Sequence, residues 1–139
     1  MATTQFELVT PSANLFSGQA EMIVCKSVDG EIAFLADHMP YIGALDPCLV
    51  RIIGPEGATG VAASETGEVR VAVHGGFVEV KDNQVIMLAD IAQRAGEIDV
   101  AAAERDEADA NTRVGSGTED RSAETDLKWA QARLEAARS

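Results

Sequence analysis

Up to about Leu88 the chain is written in short apolar alternations broken by glycine, proline, asparagine and aspartate. The runs QFELV, AEMIVCKS, GEIAFL, LVRII, GVAAS, VRVAV, FVEV and QVIML read as strands, and SVDG, DHMP, GPEG, ETGE, HGG and KDN as the turns between them. In VRVAV the period is two: Val69, Val71 and Val73 share one face, Arg70 and Ala72 the other, as in a sheet buried on one side. Many short strands at this spacing predict a flattened β-sandwich or pseudo-barrel.

From Asp90 onward β-branched residues thin out and alanine becomes the commonest residue. Asp99 is placed to cap a helix starting at Val100, with Gly96 separating that helix from the strands. The helix is expected to run to about Arg113, where the glycines of VGSGT end it, and a second to start near Thr118 with acidic residues in its first turn and Arg138 in its last. Ala123, Leu127, Ala130, Leu134 and Ala137 form a thin heptad stripe, facing a line of Val100, Ala103, Ala110 and Val114 interrupted by Glu107. The expected organisation is a sandwich over residues 1–90 and an antiparallel helical hairpin over 91–139, turning at about 114–118. Such a hairpin buries too little to be strongly stable alone, so it should be detachable.

Charge narrows the partners. With 23 acidic against 11 basic side chains, the net charge of −12 argues against a phosphate backbone or an anionic bilayer as ligand and favours a basic partner. No apolar run reaches the length of a membrane-spanning helix, and MATTQFELVTP lacks the basic start and apolar core of a signal peptide, so a soluble cytoplasmic chain is expected. Cys25 and Cys48 have no metal-ligand spacing and read as reduced packing residues.

The inventory for catalysis is poor. The HGG at His74–Gly76 is similar to an oxyanion loop, but no G-x-S-x-G nucleophile elbow accompanies it, and a glycine turn between strands accounts for it. The glycines of GPEGATG have neither the lysine nor the strand-to-helix context of a phosphate loop. His38 and His74 are the only histidines, with Asp37 the one carboxylate beside either, which is too little for a metal site. No catalytic residue, metal or cofactor is expected.

Three segments in order, FELVTPSANLFSG (Phe6–Gly18), DGEIAFLADHMP (Asp29–Pro40) and HGGFVEV…VIMLADIAQRAGEID (His74–Asp99), resemble the epsilon subunit of the F-type ATP synthase, and the likeness covers nearly the whole chain. Ala33 stands where the family usually has glycine and Met39 where it usually has alanine. The resemblance implies a sandwich followed by two antiparallel helices. It implies a non-catalytic rotor subunit of the central stalk, gripping the gamma subunit and touching the membrane rotor ring, peripheral at the cytoplasmic face of a bacterial inner membrane.

By that resemblance Asp29, Gly30 and Glu31 form the ring-facing loop, with His38 nearby, and acidic groups there suit basic ring loops. Gamma is expected at the outer face of the sheet, through Val78 and Val80 or through the opposite register of Phe77. Members that bind regulatory ATP resemble I/L-D-x-x-R-A at the hairpin start, preceded five residues earlier by glutamate. This chain has Ile98 and Asp99 but Ala102 in place of the arginine and Gln93 in place of the glutamate, so the motif is degenerate. The helical arm can reach the alpha and beta catalytic subunits in some members. Here its second helix nearly balances Glu119, Asp120, Glu124, Asp126 and Glu135 against Arg121, Lys128, Arg133 and Arg138, which favours a weak brake on hydrolysis. The alternative from a different class is a stand-alone β-sandwich adaptor that recruits a basic protein.

Overall fold

The computed structural model describes residues 2–54, 56–59, 67–115 and 121–137. The expected strand GVAAS, parts of the GPEG and ETGE turns, most of the inter-helix turn, the second helix's expected start at Thr118, and Glu119, Asp120 and Arg138 lie outside them. The strands are β1 (Thr4–Val9), β2 (Asn14–Ala20), β3 (Met22–Ser27), β4 (Gly30–Leu35), β5 (Tyr41–Leu45), β6 (Cys48–Ile53), β7 (Glu56–Thr59), β8 (Glu68–Val73), β9 (Gly76–Lys81), β10 (Gln84–Ala89) and β11 (Ala92–Arg94). After a 3₁₀ turn at Ala95–Glu97 come α1 (Val100–Val114) and α2 (Arg121–Ala137).

Hydrogen bonding links the strands in the order β11-β8-β6-β3-β5-β9-β10-β1-β2-β7, with β4 on the free side of β3. The joint between β3 and β5 is one antiparallel pair, Ser27 with Leu45, and there the sheet folds over itself. Phe6, Leu8, Phe16, Val78, Val80, Val85 and Met87 from one half share a single core with Ile23, Phe34, Val50, Ile52, Val69, Val71 and Val73 from the other. Alternation decides which side chains enter it: β1 buries Thr4, Phe6 and Leu8 and leaves Gln5, Glu7 and Val9 partly exposed. At the rim Arg94 closes the layers by donating from Nη2 to the Leu15 carbonyl at 2.9 Å.

The β9–β10 hairpin turns through Asp82 and Asn83, with φ of 52° and 57°. Two left-handed residues in a two-residue loop match the twist of the flanking strands, and Asp-Asn tolerates that conformation where bulkier residues do not. The turn also anchors its surroundings. The Asn83 amide donates to the Thr3 carbonyl at 3.0 Å and its oxygen accepts from the Asp37 N–H at 2.7 Å. Gly76 opens β9 at φ 139°, where a Cβ would lie 1.9 Å from the Leu88 carbonyl oxygen, so only glycine fits.

Several elements differ from the alternation-based reading. β2 and β5 were hidden because NLFSGQA and YIGAL carry glycine and small residues inside the strand, where packing rather than intrinsic preference holds them extended. Glu56 and Gly57, expected in a turn, begin β7. The sheet does not end at Leu88 or at residue 90: β11 pairs Ala92, Gln93 and Arg94 with Val73, Ala72 and Val71, so the body extends to Arg94.

The helices join as an antiparallel pair. Asp99 caps α1, its carboxylate accepting from the Ala102 N–H at 3.1 Å. Ala103 and Ala110 of α1 and Ala123, Ala130 and Leu134 of α2 are buried, whereas Val100 and Val114, expected in the stripe, are each 38% exposed at the ends of α1. Arg113 reaches Asp126 and Arg133 reaches Asp106, both at 2.8 Å. A second stripe of α2, Trp129, Ala132 and Ala136, lies on Ala72 of β8 and Leu49 of β6. That docking explains why Ala72, on the outward face of its strand, is fully buried. Alanine on both sides lets helix and sheet approach closely, and Lys128 adds an ion pair to Asp46 at 2.9 Å.

Two outcomes follow from this packing. A chain ending after Ala95 keeps every described strand and is expected to unfold cooperatively in calorimetry; loss of a cooperative transition would show the sandwich to depend on the hairpin. Val78→Asp puts an unpaired charge into the core and is expected to cost more than about 3 kcal/mol, whereas Phe77→Asp, one residue away on the outer face, should cost under about 1 kcal/mol in denaturant melts. Equal costs would contradict the register.

Candidate functional site

The outer face of the β5–β9–β10–β1 layer carries an apolar row that follows from the pairing. Ala44 stands opposite Phe77, Phe77 opposite Leu88, and Leu88 opposite Val9. The Val28 N–H donates to the Ala44 carbonyl at 3.2 Å, which extends the row to the tip of the β3–β4 hairpin. Val28 is 62% exposed, Phe77 62% and Leu88 55%, and Pro11 flanks a shallow apolar groove beside Val9 and Phe77. In the neighbouring row Ile42 and Ile86 alternate with Glu79 and Glu7. The inner partners of the same strands, Val78 and Val80, are buried in the core, so of the residues expected at the outer face only Phe77 faces outward. The correction has a simple cause: successive residues of a strand point to opposite sides, and the Asp82–Asn83 turn fixes which set is inside.

At one end of this row lies the turn between β3 and β4. Gly30 has a φ of 127°, the Ser27 hydroxyl accepts from the Asp29 N–H at 3.1 Å, and Asp29 and Glu31 are exposed. His38 is not beside them. Its N–H bonds the Leu35 carbonyl at 3.2 Å and its ring packs on Phe34 and near Tyr41, at the other end of β4. With a rise of about 3.3 Å per residue, roughly 13 Å of strand separates Glu31 from Leu35. The expected grouping of His38 with the acidic turn is therefore not what the structure shows.

His74 takes part in the body's junction with the hairpin. Its Nδ1 is 3.0 Å from an Asp90 carboxylate oxygen, and its ring forms a T-shaped pair with Trp129 of α2. Partial burial pushes the Asp90 carboxyl up, but hydrogen bonds from His74 and the Ile91 N–H outweigh it and hold the group below the ordinary range. Among the described residues the side chain recorded against the imidazole ring, apart from Asp90, is the Trp129 indole, which is not a nucleophile such a pair could activate. Burial pushes the Cys25 thiol up to about 12 and the Cys48 thiol to about 11, which keeps both protonated and unreactive near neutral pH. Among the described residues no cluster could hold a metal ion, and no helix is long and apolar enough to cross a membrane.

The degenerate nucleotide motif is split between elements. Gln93 pairs with Ala72 in the sheet, Ile98 packs against the alanine cluster of Ala72, Ala132 and Ala136, Asp99 uses its carboxylate for the helix cap, and Ala102 offers a methyl group where a phosphate would need a cation. The hairpin's Arg113 and Arg133 are bonded to aspartates. Sequence reading missed Val9, Val28 and Leu88 in the outer row and Trp129 at the hairpin junction. Pairing each candidate strand across KDN would have aligned Leu88 with Phe77; no local signal marks Val28.

A family model described as ATP synthase, Delta/Epsilon chain, beta-sandwich domain matches residues 3–95. An ATP synthase epsilon chain of Thermobifida fusca is 44% identical over 99 residues, 70% of this chain and 66% of that one. One from Streptomyces avermitilis is 36% identical over 95% of this chain and 98% of that one, and one from Shouchella clausii 35% identical over 99% and 97%. In fold the chain is similar to one in a structure of the Euglena gracilis mitochondrial ATP synthase OSCP/F1/c-ring, with TM-score 0.75 and 22% identity over 99% of this chain and 82% of that one. It is also similar to one in the Tetrahymena thermophila mitochondrial ATP synthase central stalk/c-ring, with TM-score 0.57 and 17% identity over 95% and 91%. The β-sandwich ending in β11, the two helices after it and the full-length relatives agree, and the chain belongs to the ATP synthase epsilon-chain family.

Proposed function

We propose that the chain is a non-catalytic rotor subunit of the central stalk of a bacterial F-type ATP synthase, peripheral at the cytoplasmic face of the inner membrane. It passes the rotation of a proton-driven ring to the catalytic head by contact, without chemistry of its own. The carrying observation is the row Val28, Ala44, Phe77, Leu88 and Val9. Large apolar groups held in line on the outside of a rigid sheet, on a chain of net charge −12, are what a partner would cover. The gamma subunit is the partner this reading assigns to the row. The exposed Asp29–Gly30–Glu31 turn at its end is assigned to the basic loops of the rotor ring, where opposite charge speeds docking more than it adds affinity. His38, at the far end of β4, is left out of that contact.

The degenerate motif supports an arm that does not sense ATP. A guanidinium–phosphate hydrogen bond contributes roughly 1.5–3 kcal/mol, so its loss alone weakens binding about tenfold or more.

Phe77→Asp or Leu88→Asp is expected to leave the fold intact and to reduce recovery with gamma by about tenfold or more, equivalent to ~1.4 kcal/mol. Undiminished recovery of both variants would remove the row from the interface. The isolated chain should give no heat of binding with millimolar MgATP in calorimetry, and submillimolar binding would overturn the reading of Gln93 and Ala102. Deleting residues 114–139 should change the ATPase rate of the assembled enzyme by no more than about twofold, a barrier difference of ~0.4 kcal/mol. A many-fold activation would show the arm to be a strong brake.

A further inference from the structure

His74 sits where a carboxylate of the body and the single tryptophan of the chain, carried by the hairpin, meet one imidazole. Nδ1 is 3.0 Å from Asp90, and the ring lies at 83° to the Trp129 indole with centroids 5.4 Å apart. A neutral imidazole has one ring N–H and an imidazolium has two. When the single proton serves Asp90 from Nδ1, only the charged form has a second donor and a positive charge for the indole π system to attract. Asp90, like His74, belongs to the body, so their contact uses no residue of α2. Trp129 arrives with α2, and it is therefore the group that couples the proton to the position of the arm.

The surrounding charges leave that coupling in place. Arg133 lies over the same indole, 5.2 Å from its centroid, but Asp106 of α1 accepts from it at 2.8 Å and offsets its charge. Lys128, adjacent in sequence to Trp129, is paired with Asp46 at 2.9 Å. On β6, Cys48 stands opposite Val73, and with its thiol pushed up to about 11 it stays neutral. The β11 side meets His74 through the Ile91 carbonyl, which accepts the His74 N–H at 2.8 Å.

We propose that His74 is a proton-dependent clamp for the helical hairpin: its imidazolium holds α2 on the sheet more tightly than its neutral form. The extra docking is present where His74 is protonated and absent where it is neutral. The idea rests on the docked geometry and does not use the assignment of gamma or the ring as partners.

The test is an NMR titration of both histidine rings in the full chain and in Trp129→Leu, with His38 as internal reference. His74 should bind its proton about threefold more tightly in the native chain than in the variant, the size of an exposed cation–π contact, while His38 is unchanged. In a second measurement, amide exchange in α2, corrected for the intrinsic effect of pH, should be about threefold more protected at pH ~5.5 than at pH ~8, and His74→Gln should abolish the difference. Equal or weaker proton binding in the native chain, or a pH dependence that survives in His74→Gln, would overturn the proposal.

Discussion

The Asp82–Asn83 turn is the constraint from which both faces of the sheet follow. Two residues with positive φ join β9 to β10 without slack, so Val78 must face Met87 and Phe77 must face Leu88. A slip of one position would send Phe77 and Leu88 inward and turn Val78, Val80, Val85 and Met87 out to water. Because β1 runs parallel beside β10 and β5 antiparallel beside β9, the choice made at the turn passes across four strands. The core and the outer row are thus two consequences of one register. Asn83 reinforces it by binding the start of β1 and the loop before β5 with the same side chain.

The hairpin is attached by a different kind of contact. Its docking surface is alanine on alanine, with Ala132 and Ala136 over Ala72, edged by Trp129 and the Lys128–Asp46 pair. Small side chains permit close approach but remove little apolar area from water, and an exposed ion pair adds at most about 1 kcal/mol. Elements bound this weakly are the ones that open first. The Arg113–Asp126 and Arg133–Asp106 pairs tie the helices to each other.

Much of this was legible in the sequence, for identifiable reasons. Alternation marked β1, β3, β4, β6, β8, β9 and β10 because each buries one face, and Asp99 announced the helix start because an aspartate before an alanine-rich run has a donor to cap. β2, β5 and β11 escaped because glycine, small side chains or brevity erase the period that burial writes elsewhere. The outer row was legible only in part: Phe77 stands in a recognisable strand, but whether it or Val78 faces out depends on pairing across the whole sheet. Trp129 was passed over because its partner, His74, is distant in sequence, and the heptad stripe drew attention to the other side of α2. His38 was grouped with Glu31 by proximity in sequence, although an extended strand carries neighbours apart faster than any other regular structure.

The central claim is that the row through Phe77 and Leu88 is the face a central-stalk partner covers. Site-directed cross-linking tests it most directly, since the native thiols are buried and held protonated, leaving an introduced cysteine as the reactive group. Leu88→Cys and, as a control on β4, Leu35→Cys would be carried into the assembled enzyme, both positions being about half exposed in the free chain, at 55% and 54%. The account predicts that Leu88→Cys cross-links to gamma in high yield and that Leu35→Cys does not. Efficient cross-linking from Leu35→Cys with none from Leu88→Cys would place gamma on another face and contradict it.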